Sequence, residues 1–286
     1  MTIDGVILKG VGGLYTVLTG DGEQIPCRAR GVFRHRNQKP LSGDKCLISL
    51  SGDGTGRLEQ LLPRRNELVR PPVCNIDAML LVASESIPRS DTYLIDRLTA
   101  VAAHQGIDVL ISVNKLDLSD EDRLLRIYSD IFPVFPTSAI TGEGIGALTR
   151  AIAGKTVVFT GNSGVGKSSL LNALVPGMTL PTGEVSRHLG RGRHTTRHVE
   201  LFPLAGGCVA VDTPGFSALD TAGDIPKEKL DSCFVDFRPF LGECRFSGCR
   251  HNHVMGCAVE AAADDGKISR ARYENYLRIL QGTASP

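Results

Sequence analysis

The first 64 residues contain short apolar runs that are cut by turn-forming residues. The runs have the length of β-strands, and they lack the three-to-four-residue spacing of an amphipathic helix. This pattern predicts a small β-barrel with tight turns. The apolar runs lie at residues 6–8, 14–18, 46–50 and 58–62, and the turns are Gly12-Gly13, Asp21-Gly22, Ser42-Gly43-Asp44 and Asp53-Gly54.

The pattern changes after residue 72, where apolar runs begin to alternate with helical periodicity. Residues 92–104 place apolar side chains on one helical face, and Ser119 followed by acidic residues 120–122 is typical of a helix start. Alternating strands and helices indicate an α/β region with a parallel sheet covered on both faces. The predicted buried strands lie at residues 78–83, 109–113, 156–160 and 208–211.

The pattern therefore predicts a multidomain chain, and 286 residues suit two or three domains. We expect a barrel over residues 1–64, a linker over 65–72, the α/β domain over 73–222 and a small α-rich module over 223–286. In this last module Ser269 is the predicted N-cap of a final helix.

The composition of the chain excludes several classes of protein. A chain with 42% hydrophobic and 22% charged residues can form buried cores, so it is not a disordered protein. No apolar run approaches the roughly 18–20 residues of a membrane span, and the N-terminus lacks a secretory signal. We expect a cytoplasmic monomer with no membrane partner. Five scattered cysteines are interpreted as small apolar residues: Cys27, Cys46, Cys74, Cys208 and Cys233.

A glycine-rich phosphate loop follows the predicted strand at 156–160. Residues 161–168 fit the pattern G-x-x-x-x-G-K-[ST], and a predicted helix comes next. Backbone N–H groups of such a loop surround phosphates, Lys167 reaches the β- and γ-phosphates, and the Ser168 hydroxyl binds Mg²⁺. The predicted phosphate-binding residues are Gly161, Asn162, Ser163, Gly164, Val165, Gly166, Lys167, Ser168 and Ser169.

Two further segments complete a predicted guanine nucleotide site. Asp212 begins D-x-x-G after a predicted strand, where its carboxylate can bind the metal while the Gly215 N–H meets the γ-phosphate. The Asp117 carboxylate can accept from both N1–H and the exocyclic amine of guanine, a donor pair that adenine lacks. The remaining predicted base-binding residues are Asn114, Lys115 and Leu116, with Ser138 and Ala139 supplying an N–H for guanine O6.

The order of these segments is unusual, because the base-reading residues precede the phosphate loop and Asp212 comes last. The sequence therefore predicts a circularly permuted GTPase in which the γ-phosphate sensor runs directly into the C-terminal module.

That module contains three thiols and one imidazole within fourteen residues. Such a set of soft ligands matches one structural, tetrahedral Zn²⁺, and His253 remains a competing ligand. Reduced cysteines without a metal are the alternative. The predicted zinc ligands are Cys244, Cys249, His251 and Cys257.

Together these motifs resemble the ribosome small-subunit-dependent GTPase A family of bacteria over nearly the whole chain. Residues 65–71 and 190–196 look like further signatures of that family. The resemblance implies an N-terminal OB-fold, binding to the small ribosomal subunit and its rRNA, and a role in late subunit maturation. It also implies GTP hydrolysis to GDP and phosphate that is slow alone and stimulated by the subunit.

The motifs do not identify the residue that orients the attacking water, because Phe216 occupies the position where many GTPases carry glutamine. His194 is the candidate, with Lys167 as a second catalytic residue, and either Thr195 or Thr196 meets Mg²⁺. An RNA-contacting or exposed histidine is the alternative for His194. The chain is nearly neutral at +1, but residues 187–198 hold only basic charges and are a candidate RNA-binding switch.

A second basic stretch lies in the barrel, where Arg28, Arg30, Arg34, Arg36 and Lys39 surround Phe33 and His35. This interleaving suits a single-stranded nucleic-acid groove, and a solvated loop is the alternative. For the whole chain, two further functions stay open. One is a non-enzymatic RNA-binding assembly module shaped by GTP, and the other is a P-loop ATPase with a zinc tail.

Overall fold

The computed structural model describes residues 2–31, 33, 38–69, 72–174, 199–204, 207–212 and 225–282. The first strands close into a barrel in the order β1-β2-β3-β5-β4, with β3 and β5 parallel and the other pairs antiparallel. This is the arrangement of an OB-fold, which the family resemblance implies for the predicted barrel. The strands are β1 (Thr2–Val11), β2 (Leu14–Thr19), β3 (Gln24–Ala29), β4 (Lys45–Leu50) and β5 (Gly56–Leu61).

Strand β3 is missing from the apolar runs of the sequence because Pro26 interrupts it. Ile25 and Cys27 alternate with polar positions and point into the barrel core, where they are 6% and 0% exposed. Pro26 pairs opposite Thr16 without ending the strand. The barrel core also contains Ile7, Val17, Phe33, Cys46, Ile48 and Leu58.

The second unit is an α/β sheet in the order β10-β9-β8-β11-β13-β12, parallel except for β12 at one edge. Alternate residues of β8 enter two separate cores, because Met79 and Leu81 pack on one face while Leu80 and Val82 pack on the other. Both faces are therefore covered, as predicted. The strands are β8 (Ala78–Ser84), β9 (Asp108–Asn114), β10 (Val134–Pro136), β11 (Thr156–Thr160), β12 (Glu200–Pro203) and β13 (Val209–Asp212).

Helices connect these strands, and the first has the bounds that the sequence predicts. Helix α1 spans Thr92–His104, with the Asp91 side chain accepting from the Tyr93 N–H at its start. The other helices of this unit are α2 (Arg123–Tyr128), α3 (Ile145–Ile152) and α4 (Lys167–Leu174).

The predicted start of the second helix at Ser119 is wrong, since α2 begins at Arg123. Glu85, which follows β8, supplies the missing cap because its Oε1 accepts from the Leu124 N–H at 2.6 Å. A cap from another part of the chain leaves no local sequence signal. The segment before it contains a short 3₁₀ turn at Leu116–Leu118.

The C-terminal module contains α5 (Leu230–Cys233), α6 (Ala258–Asp264) and α7 (Arg270–Gln281). Ser269 occupies the N-cap position of α7, although its side chain makes no capping hydrogen bond. The module is joined to the α/β unit by Arg272 of α7, whose guanidinium contacts Asp96 of α1 at 2.5 Å and Asp236 at 2.7 Å. Arg272 and Asp96 are 1% and 0% exposed, so this ion pair lies in the core.

The predicted linker is partly ordered by a pair of two-residue strands, β6 (Glu67–Leu68) and β7 (Val73–Cys74). Beside it, the Arg64 guanidinium donates to both carboxylate oxygens of buried Asp44 at 2.7 Å. The domain boundaries at 64, 72 and 222 stay predictions. Within the described ranges, no helix has the length and apolar character that a membrane crossing needs.

Candidate nucleotide site and metal centre

The phosphate loop joins the end of β11 to the start of α4, which is the context that the motif requires. Two of its glycines are fixed by close neighbours. A Cβ at Gly161 would lie 2.0 Å from the Val82 carbonyl oxygen, and one at Gly166 would lie 2.4 Å from Asn114 Nδ2. Both residues also have positive φ angles, of +138° and +93°. The backbone of this loop can therefore approach its neighbours only because both positions are glycine.

Lys167 is the first residue of α4 and is 9% exposed. Its ammonium group donates to the carbonyl oxygen of Gly161 at 2.8 Å and to that of Asn162. Burial lowers the pKa of Lys167 to about 8. This cation therefore lies inside the loop whose N–H groups are expected to hold phosphates, with Ser168 and Ser169 following in the first turn of the helix.

Asn114, the last residue of β9, connects the phosphate loop to the base-reading loop. Its Nδ2 donates to the Val165 carbonyl at 3.0 Å, and its Oδ1 accepts from the Ala139 N–H at 3.1 Å. The Thr137 hydroxyl is 3.5 Å from the same Oδ1. Asn114 is 3% exposed, so removing this side chain would leave buried polar groups without partners.

The predicted base-reading side chains lie around this connection. Ser138 Oγ donates to Asp117 Oδ1 at 2.5 Å, which orients the exposed carboxylate. Lys115 has a left-handed backbone with φ of +68°, and its ammonium donates to the Ile87 carbonyl at 2.8 Å. Sequence reasoning missed Ile87, which follows β8. The only available signal was that parallel neighbouring strands end at the same edge of a sheet.

The structure describes only part of the predicted γ-phosphate side of the site. Strand β13 pairs in parallel with β11, so the end of β13 at Asp212 lies at the same edge of the sheet as the phosphate loop. Gly215, Phe216 and the predicted switch residues His194, Thr195 and Thr196 lie outside the described residues.

In the C-terminal module, four side chains converge to form one cluster of metal-binding type. The ligand atoms of Cys244, Cys249, His251 and Cys257 all lie within 4.8 Å of one another. His251 Nδ1 is 3.5 Å from Cys244 Sγ and 3.4 Å from Cys257 Sγ. Tetrahedral Zn²⁺, with bonds of about 2.3 Å to sulfur and 2.0–2.1 Å to nitrogen, requires a sulfur–nitrogen separation of about 3.6 Å. The cluster therefore fits zinc.

Backbone N–H groups point at all three sulfurs of the cluster. Cys244 accepts from Ala258 at 3.3 Å, Cys249 from His251 at 3.4 Å and Cys257 from Glu260 at 3.4 Å. Burial, with a smaller contribution from the two neighbouring thiols, raises the pKa of Cys257 to about 12, so a bound cation is needed to charge this thiol.

His253, the competing ligand left open by the sequence, is occupied elsewhere. Its Nδ1 lies 2.6 Å from Glu260 Oε1, and 63% of its side chain is exposed. Among the residues that the structure describes, the metal-binding group contains His251 and not His253.

The predicted nucleic-acid groove of the barrel stays a prediction. Phe33 is 4% exposed and packs in the barrel core, so little of its ring is available for stacking on a base. Nearby, Arg30 pairs with Glu59 at 2.8 Å. Residues 34–37, with the other predicted basic positions Arg34 and Arg36, lie outside the described residues.

Comparison with known proteins assigns these two units to a single family. A family model described as RsgA GTPase matches residues 61–222, more than half of the chain. The chain belongs to the RsgA GTPase family. A second model, the RsgA N-terminal domain, matches residues 4–58. The family expected from the motifs is thereby confirmed.

Similar proteins cover this chain almost completely. Small ribosomal subunit biogenesis GTPase RsgA from Caldanaerobacter subterraneus subsp. tengcongensis is 44% identical, covering 98% of this chain and 95% of its own. The crystal structure of YjeQ from Thermotoga maritima has a TM-score of 0.87 at 36% identity, covering 99% of this chain and 98% of its own. YloQ, described as a circularly permuted GTPase, has a TM-score of 0.82 at 32% identity, covering 99% and 95%.

Proposed function

We propose that this protein hydrolyses GTP to GDP and phosphate while it assists late maturation of the small ribosomal subunit, which stimulates the reaction. The observation that carries the GTPase part is the position of Asn114 between the phosphate loop and the base-reading loop. The two hydrogen bonds of its side-chain amide hold the phosphate loop and the base-reading loop at a fixed separation. The curated name of the similar Caldanaerobacter protein supports the ribosomal part.

In this proposal the phosphates lie in the loop over residues 161–168, with Lys167 facing the β- and γ-phosphates. Ser168, Asp212 and either Thr195 or Thr196 would hold Mg²⁺, which neutralises charge on the transferred phosphoryl group. Asp117 accepts from the two guanine donors. The Ala139 N–H donates to Asn114 in the structure, so its predicted contact with guanine O6 would be shared with that bond.

Hydrolysis requires a water that attacks the γ-phosphorus while the bond to the β–γ bridging oxygen breaks. Phe216 cannot orient that water, since its side chain has no hydrogen-bonding atom. We therefore propose that the protein alone turns over slowly and that His194, arranged by the subunit, supplies the missing contact. We propose that the protein acts in the cytoplasm as a monomer bound to the subunit and its rRNA.

One Zn²⁺ bound by Cys244, Cys249, His251 and Cys257 completes the proposal. All four positions of a tetrahedral ion are then filled by protein atoms, so the ion stabilises the C-terminal module and leaves no open position for catalysis.

A base-specificity exchange tests the nucleotide assignment. Asp117→Asn replaces one of the two carboxylate acceptors with an NH₂ donor, which opposes the exocyclic amine of guanine but pairs with the C2 carbonyl of xanthine. We expect the affinity for GTP to fall by at least about 100-fold, because one charge-assisted bond is lost and the other becomes a neutral one, and XTP to bind. Fluorescent-nucleotide titration measures both, with exposed Asp120→Asn as the matched control. Unchanged GTP binding by Asp117→Asn, or displacement of GTP by ATP, would contradict the assignment.

A further inference from the structure

The two nitrogens of His251 face different partners. Nδ1 faces the sulfurs of Cys244 and Cys257, whereas Nε2 lies 3.6 Å from Oδ2 of Asp231. The His251 side chain is only 3% exposed, whereas the Asp231 side chain is 24% exposed, so the carboxylate lies at the edge of the buried ring. The ring therefore lies between the sulfur cluster and a carboxylate that is not part of that cluster.

Asp231 is held in an orientation that suits this contact. It lies in the short helix α5, and its Oδ1 accepts from the Ser232 N–H at 2.6 Å. The other carboxylate oxygen is thereby directed to His251. Leu230 and Cys233 anchor α5 in the core that also contains α1, so the carboxylate lies on an element of the C-terminal module that packs against the α/β unit.

The main chain of His251 is fixed independently of its ring. Its φ angle of +55° lies in the left-handed region, and its carbonyl oxygen accepts from the Tyr273 hydroxyl at 2.8 Å. Its N–H donates to Cys249 Sγ. These contacts position the backbone, but they leave rotation of the imidazole about its side-chain bonds unrestrained.

We infer that Asp231 is a positioning residue for the metal centre, which acts through His251. Its carboxylate faces the Nε2–H of the ring at 3.6 Å, which favours the neutral tautomer that presents the lone pair of Nδ1 to the cation. Carboxylates in this outer position orient metal-binding histidines and increase their basicity. The contact also links the metal centre to helix α5, which follows Asp212 in the sequence. This inference rests on the proposed zinc site, and it adds a residue that the ligand motif does not contain.

Zinc affinity of the full-length protein tests the inference. The unmodified chain, Asp231→Asn, Asp231→Ala and the matched control Asp264→Asn are each titrated with zinc against a chromophoric chelator. Asp264 is an exposed carboxylate of the same module, paired with Arg270 at 2.5 Å. We expect the zinc dissociation constant to rise about 10-fold for Asp231→Asn and up to about 100-fold for Asp231→Ala. The control keeps the unmodified value.

Two accompanying measurements separate positioning from general damage. Asp231→Asn retains shape, so GTP affinity and circular dichroism should match the unmodified chain. With Co²⁺ in place of zinc, the Asp231 variants should show a weakened or shifted tetrahedral d–d absorption. Unmodified protein that binds no zinc would overturn the proposed metal site and the inference with it. Unmodified protein that binds one zinc, with both Asp231 variants within twofold of it, would overturn the role of Asp231 alone.

Discussion

Single residues decide which nucleotide this site can hold. Asn114 and Asp117 are separated by three positions in sequence, yet their side chains contact different loops: Asn114 reaches Val165, and Asp117 is oriented by Ser138. The motif in the sequence indicates that both are needed. It does not indicate that Lys115 donates to the Ile87 carbonyl, because that bond depends on how β8 and β9 end beside each other.

The pKa of Lys167 predicts how GTP binding depends on pH. Burial lowers this pKa to about 8, so the side chain is charged below pH 8 and becomes neutral above it. Only the charged form attracts phosphates, and GTP affinity should therefore fall as pH rises from 7 to 9, by at most about tenfold per pH unit. Fluorescent GTP titrations at pH 7, 8 and 9 measure this fall.

Lys167→Arg is the matched variant, since arginine stays charged over this range. Any loss of affinity that remains in Lys167→Arg comes from other groups, such as the base itself. Equal GTP affinity of the unmodified protein at pH 7 and pH 9 would show that Lys167 is not the titrating cation.

At the level of helices and strands, hydrophobic runs predict most of what was found. Strands β8, β9 and β11 and helix α1 follow from sequence because each buries a continuous run or one helical face. The start of α2 could not be predicted, because Glu85 caps it from outside the local segment. Strand β3 was missed because it contains no continuous apolar run: Ile25 and Cys27 are separated by Pro26, which a strand tolerates where its N–H is not needed for pairing.

The contact between α1 and α7 depends on one buried ion pair. Arg272→Ala should destabilise the protein by about 3–5 kcal/mol, because it leaves Asp96 and Asp236 buried without their cation. A clear fall in the melting temperature of the zinc-bound protein would show this effect. Arg270→Ala is the control, since Arg270 forms exposed pairs with Asp264 and Glu274 and lies over the Tyr273 ring, so its loss should lower that temperature much less. Similar melting temperatures for the two variants would contradict the buried role.

In the whole molecule, three units meet through contacts that no motif encodes. Ser42 of the barrel donates to the Val199 carbonyl at 2.8 Å, beside the start of β12. Asp44 and Arg64 pair where the barrel leads into the linker. The order of motifs correctly predicted a permuted GTPase followed by a cysteine-rich module. The contacts between units could not be predicted, because Ser42–Val199 and Asp96–Arg272 join residues that are 157 and 176 positions apart.

In the proposed function these units act together. The nucleotide site lacks its own water-orienting residue, and the barrel and the metal-bound module contact the subunit. GTP turnover by the purified protein, measured with and without small ribosomal subunits, tests this proposal. Lys167→Ala serves as the inactive control. We predict slow turnover alone and strong stimulation by the subunit. Equally slow turnover in both conditions, with GTP still bound, would contradict the proposal and favour a binding module that GTP only shapes.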